Sequence, residues 1–177
     1  MPAAASAQQT LTFEGFAPFT VLSNQYLGVN FQGATILTQG AGLNPPFPPK
    51  SGVNLVYNPV GPMELLFGAP IAYFQGHFTY NDGLTLQGYD AGNNLLATSL
   101  GAFSMNSGGS GNPDNELIRI DAANMVRVVV TGGGGNNFTL DDAQFTGSVA
   151  VVPEPSTVVL LAAGLAGVFV RCRRRAV

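Results

Sequence analysis

An apolar run near the C-terminus constrains this chain more than any other stretch of its sequence. Between Pro155 and Arg171 there is no charged residue, and Val158 to Val170 contains only Val, Leu, Ala, Gly and Phe. Such a segment favours lipid over water. The run ends in a basic cluster, which cannot cross a bilayer at low cost and stays on the cytoplasmic side. The cluster consists of Arg171, Arg173, Arg174 and Arg175.

The sequence therefore predicts a transmembrane helix over residues 156–170 and a basic cytoplasmic tail over residues 171–177, with everything before Pro153 outside the cytoplasm. At a rise of about 1.5 Å per residue the helix spans about 22 Å, which is short for a hydrocarbon core of about 30 Å. A marginal anchor of this kind suits a protein that the membrane holds transiently. A permanent anchor that is never cut stays open as an alternative.

A Pro-Glu-Pro motif, Pro153-Glu154-Pro155, precedes the apolar run. The motif, the short helix and the arginine-rich end follow one another in an order that resembles the PEP-CTERM sorting signal of Gram-negative bacteria. The resemblance implies that a membrane transpeptidase-like enzyme, exosortase, recognises the motif and removes the tail. It further implies that the protein passes from the inner membrane to the cell envelope or the extracellular matrix.

The rest of the chain has the composition of a turn-rich domain. The 177 residues include 23 Gly, 12 Pro and 12 Phe, and only 10% are charged, which is typical neither of a helical nor of a disordered protein. Outside the tail arginines, Lys50, Arg119 and Arg127 are the basic residues that remain against ten acidic ones. An acidic surface argues against nucleic acid and anionic lipid as partners.

Short apolar runs alternate with Gly, Pro, Asn and Asp clusters from Thr10 to Gly147. This pattern predicts about eight to ten short strands in an antiparallel β-sandwich over residues 10–148. Residues 149–155 form a linker, and Ala5-Ser6-Ala7 within residues 1–9 has the small residues of a signal-peptide cleavage site. We expect the signal peptide itself to lie upstream of Met1.

Several strands of this sandwich are predicted individually. Leu11 to Glu14 is the first strand. Ile71 to Tyr80 and Leu84 to Tyr89 form a hairpin across Asn81-Asp82-Gly83, because Asp-Gly favours tight hairpin turns. Further strands follow at Leu95 to Leu100 after the turn at 90–94, at Glu116 to Asp121, at Met125 to Thr131 and, as the final strand, at Phe138 to Phe145.

The order of these elements is similar to that of jelly-roll domains of the carbohydrate-binding-module type. The segments that carry this resemblance end at Glu14, Asp90 and Asp142. In such domains, acidic residues at the end of the first strand and within the last strand bind a structural calcium ion, which implies Glu14, Asp141 and Asp142 as ligands. Since neighbours on a strand face opposite ways, we expect only one of the two aspartates to point inward with Glu14. Solvated carboxylates without a metal stay open as the alternative.

The residues that could support catalysis are few. His77 is the only imidazole in the chain and lies between aromatic residues, so a structural role is favoured over a catalytic one. One His and the remote Cys172 cannot supply a zinc site, and no cofactor other than calcium is expected. We therefore expect a non-enzymatic exported protein associated with exopolysaccharide or the outer surface.

Two alternatives remain. One is a carbohydrate-binding module, for which exposed aromatic rings would stack on sugars; the other is a glycan hydrolase with a pair of carboxylates in a cleft. The chain has no Trp, so the candidate stacking residues are Tyr26, Tyr57, Tyr73 and Tyr89.

Overall fold

A computed structural model describes residues 6–58 and 60–148, which belong to one compact unit. The predicted transmembrane helix, the Pro-Glu-Pro linker and the basic tail lie outside the described residues. No helix within the described residues is long and apolar enough to cross a membrane. The described residues form an all-β, antiparallel sandwich, as the sequence predicts.

Ten strands and one short helical turn are described. They are β1 (Ser6–Leu11), β2 (Val21–Leu22), β3 (Val29–Gln32), β4 (Ala34–Thr38), β5 (Asn54–Tyr57), β6 (Met63–Tyr80), β7 (Leu84–Tyr89), β8 (Leu95–Leu100), β9 (Glu116–Gly132), α1 (Gly133–Asn136) and β10 (Phe138–Ser148).

The long strands β6 and β9 pair with each other and pass through both layers of the sandwich. In the first layer, the start of β6 pairs with β3, and the end of β9 pairs with β7, which in turn pairs with β8. In the second layer, the end of β6 pairs with β10, from which the sheet continues through β5 and β4 to β2. The strand β1 pairs with the second half of β10.

A bend in β6 lets one strand serve both layers. The pairing of β6 with β9 shifts register between Leu66 and Ile71 and again before Tyr73. The bend contains Gly68 and Pro70, and Pro has no N–H to give to a neighbouring strand. Before the bend the odd-numbered side chains are buried, and after it the even-numbered ones are, so both halves face one core.

Phenylalanine rings fill this core. The largest fully buried side chains include Phe13, Phe74, Phe78, Phe138 and Phe145. Burying one such ring contributes about 1.5–3 kcal/mol relative to leaving it exposed. Every buried side-chain nitrogen and oxygen within residues 6–58 and 60–148 has a hydrogen-bond partner.

The predicted hairpin between Ile71–Tyr80 and Leu84–Tyr89 is wrong. These segments are parts of β6 and β7, and β9 lies between them in the sheet. The turn that contains Gly83, at φ +59°, instead carries the chain from one layer to the other. Asp-Gly supplies the positive φ of a tight turn, but a turn does not fix which strand the chain pairs with next.

The next hairpin is confirmed, since β7 and β8 pair directly. Its turn is closed by the Asp90 carboxylate, whose Oδ1 accepts hydrogen bonds from the main-chain N–H groups of Gly92 at 2.9 Å and Asn94 at 2.8 Å. The segments predicted as separate strands at 116–121 and 125–131 are a single strand, β9.

The first strand lies earlier in the chain than predicted. β1 begins at Ser6, so residues 6–9 pair with β10, and the strand ends at Leu11. Phe13 then takes a left-handed conformation, at φ +61°, and Glu14 follows in a turn. This turn directs Glu14 away from the sheet and toward the loop at residues 50–54.

Candidate functional site

Two separated acidic segments meet at the loop of residues 50–54. Glu14 reaches this loop with Oε1, which accepts hydrogen bonds from the main-chain N–H groups of Val53 at 3.0 Å and Asn54 at 2.9 Å. The Asn54 side chain donates in return to the main-chain oxygens of Phe13 and Phe16, at 3.1 Å each. The turn at Glu14 and the loop therefore hold each other in place.

Asp141 contacts the other end of the same loop. Its Oδ2 accepts hydrogen bonds from the N–H groups of Lys50 at 2.7 Å and Ser51 at 3.1 Å. Gly52 lies between the two contacts at φ +57°, and a Cβ at this position would clash with the Glu14 carboxylate. The approach of Glu14 to the main chain thus requires glycine at residue 52.

Asp142 also reaches the loop, which strand alternation alone does not predict. Its Oδ1 accepts a hydrogen bond from Ser51 Oγ at 3.0 Å. The reason is an irregularity in β10: the pairing with β6 shifts between Asp141 and Gln144, and Asp142 has φ +42°. Asp141 is buried, at 1% exposure, and Asp142 is half-buried. We call Glu14, Asp141 and Asp142 the acidic cluster.

Burial raises the pKa of Asp141 to about 6, and the charge of Asp142 adds to this effect. The N–H donors of Ser51, Asp142 and Lys50 act in the opposite direction and lower the pKa. Burial also raises the pKa of the nearby Tyr26 hydroxyl. Loss of water around the Asp141 carboxylate therefore outweighs the three donors.

The hydrogen bonds of the acidic cluster bear on the predicted calcium ion. Calcium takes six to eight oxygen ligands, whereas Glu14 Oε1 and Asp141 Oδ2 each already bind two main-chain N–H groups. In the described part of the chain, no group of three or more His, Cys, Asp and Glu side chains is placed to hold a metal ion. The observed role of the cluster is to hold the loop, and calcium at Glu14, Asp141 and Asp142 stays a prediction.

Of the four candidate stacking tyrosines, three are engaged elsewhere. Tyr26 packs edge-on against Phe13 and Phe16 in the core. The Arg119 guanidinium lies over the ring of Tyr73, 3.9 Å from its centre. The Arg127 guanidinium lies over the ring of Tyr89, at 4.2 Å. A protein group therefore already packs against the ring of each of these three tyrosines.

Tyr57 lines a cavity of about 220 Å³, and no aromatic ring or guanidinium of the described residues packs against its own ring. Phe19 lies at the same cavity, 60% exposed and with φ +64°, a conformation that bulky residues adopt only under strain. The remaining lining residues are Leu37, Gly42, Leu43, Asn44, Phe47, Asn137, Phe138 and Thr139. The cavity therefore combines one exposed ring, Phe19, and one half-buried ring, Tyr57, with amide groups.

The cavity and the acidic cluster share one loop. Leu43, Asn44 and Phe47 line the cavity, and the acidic cluster holds residues 50–54 of the same loop. Asn115 adds a further support, because its Nδ2 donates to the main-chain oxygen of Pro48 at 3.1 Å. The cluster thus fixes one wall of the cavity.

His77 has a structural partner. Its Nδ1 lies 3.0 Å from the main-chain oxygen of Asn115, and the side chain is half-buried. This contact ties β6 to the residue that precedes β9. The sorting-motif residues and tail arginines lie outside the described residues.

A row of polar side chains crosses the outer face of the second layer, and sequence reasoning missed it. Gln144 Oε1 accepts hydrogen bonds from Gln8 at 2.9 Å and from Gln75 at 3.0 Å, and Arg119 donates to Gln75 at 3.3 Å. We call Gln8, Gln75, Gln144 and Arg119 the outer polar row. In the sequence these residues are visible only as the polar positions of strands with alternating polarity. Which of them lie next to each other depends on the strand pairing, which the sequence does not give.

No curated protein sequence matches this chain. A solved DUF4465 family protein from Bacteroides caccae is 15% identical, with a TM-score of 0.48, over 78% of this chain and 98% of the other. A family 6 carbohydrate-binding module from Clostridium stercorarium, in complex with cellobiose, is 13% identical, with a TM-score of 0.39, over 72% and 92%.

A third solved structure is the catalytic domain of a GH87 alpha-1,3-glucanase in complex with tetrasaccharides. It is 17% identical, with a TM-score of 0.39, and the match covers 78% of this chain and 30% of the other. Likenesses at this level assign neither a ligand nor an activity to this chain.

The C-terminal end gives a more specific result. Residues 151–175 match the family described as the PEP-CTERM protein-sorting motif. The resemblance that the Pro-Glu-Pro segment, the apolar run and the arginines indicate is therefore confirmed, and the chain carries the sorting motif of an exported protein.

Proposed function

We propose that this is a non-enzymatic exported protein whose C-terminal signal delivers a β-sandwich to the cell envelope or the extracellular matrix. The observation that carries the proposal is the sorting motif at residues 151–175, which begins just after β10 ends at Ser148. Exosortase is the proposed processing partner, with Pro153-Glu154-Pro155 as its recognition motif. The helix over 156–170 holds the protein in the membrane until processing.

The sandwich supports a non-catalytic role. Its three clustered carboxylates bind the main chain or a serine of one loop, and His77 contacts a main-chain oxygen. These groups are occupied in holding the fold. We therefore propose that the protein acts after export through the groups on its folded surface and what they bind.

The sorting half of the proposal is tested by expressing the full chain in one exporting host with and without exosortase. Mass spectrometry of the C-terminus should show loss of the arginine-rich tail only when the enzyme is present. Glu154→Ala should block this loss, whereas Ser156→Ala, a matched change just outside the motif, should leave it intact. An uncut tail in the competent host, or normal cutting of Glu154→Ala, contradicts the proposal.

The cavity at Tyr57 favours a second candidate function, carbohydrate binding. An aromatic ring packs against the C–H face of a sugar, and amide side chains bind its hydroxyl groups. Tyr57 and Phe19 offer the rings, and Asn44 and Asn137 offer the amides. The acidic cluster holds the loop that carries Asn44, which limits the conformational freedom lost on binding.

Binding should be measured by glycan array and by pull-down with the exopolysaccharide of an exporting host. Tyr57→Ala and Phe19→Ala should each weaken binding by about tenfold, since an aromatic contact contributes about 0.5–1.5 kcal/mol beyond its buried area. Tyr73→Ala is the matched control, because that ring lies under Arg119 and away from the cavity. Equal losses in all three variants, or no retained glycan, would exclude this site.

A further inference from the structure

The strand β8 forms an open edge of the sandwich. It pairs with β7 and stands at the end of the strand order, opposite β2. The strand β2 has only two residues, and a very short edge strand is one way in which proteins avoid pairing with other chains. β8 has six residues, Leu-Leu-Ala-Thr-Ser-Leu, without Pro, Lys or any other charged residue. No strand within residues 6–58 and 60–148 pairs with its outer side, so the main-chain groups there are available to an extended strand.

Apolar side chains on β8 are exposed. Ala97 and Ser99 are half-buried, whereas Leu96, Thr98 and Leu100 alternate with them and are exposed. The exposure of Leu96 is 39% and that of Leu100 is 67%. Exposed leucines on an unprotected edge are typical of an interaction surface rather than of an edge that avoids contact.

The residue order of β8 suits pairing with itself. When two copies join into one continuous sheet about a two-fold axis, directly opposed residues lie on the same face. A register centred on Thr98 meets this condition: it places Leu96 of each copy opposite Leu100 of the other, and Thr98 opposite Thr98. Two leucine pairs and one threonine pair then lie on the outer face.

Charge also favours a second copy at this edge. The sandwich is acidic, so two copies repel at most orientations. Between Asp90 and Asp114, however, the sequence has no charged residue, and β8 lies within this segment. An antiparallel pair of β8 strands brings no like charges opposite each other. Because each copy uses the same edge, the pairing closes at a dimer.

We propose that β8 is a self-association edge, through which two copies of this protein form an antiparallel, two-fold symmetric dimer with a sheet continuous across both. The partner is a second copy of this chain.

The full chain in detergent micelles provides the test, with sedimentation velocity at increasing protein concentration. We expect a concentration-dependent dimer, and we expect Thr98→Lys to raise its dissociation constant about tenfold or more, because it places like charges opposite each other. Thr10→Lys, on the exposed face of β1, is the matched control and should dimerise like the unchanged chain. Circular dichroism should show that both variants are folded.

A second measurement locates the axis. Thr98→Cys in a Cys172→Ser background should give a disulfide-linked dimer under mild oxidation, whereas Thr10→Cys in the same background should not. A monomeric unchanged chain overturns the proposal, since β8 would then be free or bound by another protein. A dimer that Thr98→Lys leaves intact also overturns the proposal, because association would then take place elsewhere, such as in the apolar C-terminal run.

Discussion

The acidic cluster and the outer polar row use side-chain hydrogen bonds in opposite ways. Glu14, Asp141 and Asp142 bind the main chain and Ser51 of one loop, partly out of contact with water. In the row, Gln144 and its neighbours bind one another on the outer face. Water can replace a lost partner in the row, whereas a part-buried main-chain N–H that loses its acceptor regains a partner less easily. The two regions should therefore differ sharply in their contribution to stability.

The two regions also differ in what their backbone requires. The cluster depends on positive φ angles at Phe13, Gly52 and Asp142, which turn three side chains toward one loop. The row lies where the strands are paired again after the shift in β10, and it follows from the register of β1, β10, β6 and β9 there. The cluster is thus a local departure from sheet geometry, and the row is a consequence of that geometry.

The largest expected effect is that of Asp141→Ala. The change leaves the N–H groups of Lys50, Ser51 and Asp142 without their acceptor, and relief from burying a charge offsets only part of this loss. We expect the free energy of unfolding to fall by about 3 kcal/mol, measured by urea denaturation. Asp121→Ala is the matched control, because Asp121 is exposed and paired with Arg119; its effect should stay within about 0.5 kcal/mol. Equal effects would mean that the loop contacts of Asp141 stabilise the fold no more than an exposed ion pair does.

The next effect concerns calcium at Glu14, Asp141 and Asp142. If the ion binds, a chelator lowers the melting temperature, because a ligand at a hundredfold excess over its dissociation constant stabilises the fold by about 2.7 kcal/mol. Glu14→Ala should abolish the chelator effect, and Glu64→Ala, which lies outside the cluster, should preserve it. A melting temperature that a chelator leaves unchanged would show that the cluster binds the loop without a calcium ion.

A third effect is a dependence of stability on pH in the presence of chelator. The pKa of Asp141 is about 6 in the folded protein, against 3.8 for an ordinary aspartate. Between these values the folded state binds more protons than the unfolded state, so stability falls as pH rises from about 4 to about 6. The fall is on the order of 2 kcal/mol and should be absent in Asp141→Asn.

Two other carboxylates contribute to the pH profile with the opposite sign. The pKa values of Asp90 and Asp121 are lowered by hydrogen bonds from Asn94 and Arg119, respectively. Their contribution is lost as pH falls below about 4, outside the window of Asp141. Chemical denaturation at a series of pH values separates these contributions from that of Asp141. A free energy of unfolding that rises from pH 4 to 6 would contradict the assignment to Asp141.

The sequence predicts the fold class better than it predicts strand neighbours. Alternation and turn residues identify strands such as β7, β8 and β10, because these signals are local. The position of β9 between β6 and β7 is set by residues that are distant in the sequence. The Asp-Gly turn at residues 82–83 therefore predicts the wrong neighbour for β7. Likewise, the resemblance predicts that Glu14 meets one of Asp141 and Asp142, but the positive φ that turns Asp142 to the same loop depends on a register shift that only the assembled sheet defines.

The smallest expected effect belongs to the outer polar row. Gln144→Ala removes the acceptor shared by Gln8 and Gln75, yet all three side chains are half-buried or exposed, and water can take the place of Gln144. We expect the free energy of unfolding to change by no more than about 0.5 kcal/mol, measured by urea denaturation beside Asp141→Ala. A loss as large as that of Asp141→Ala would mean that cross-strand amide contacts hold the second layer together. The contrast between main-chain and side-chain partners would then no longer explain where the stability of this sandwich resides.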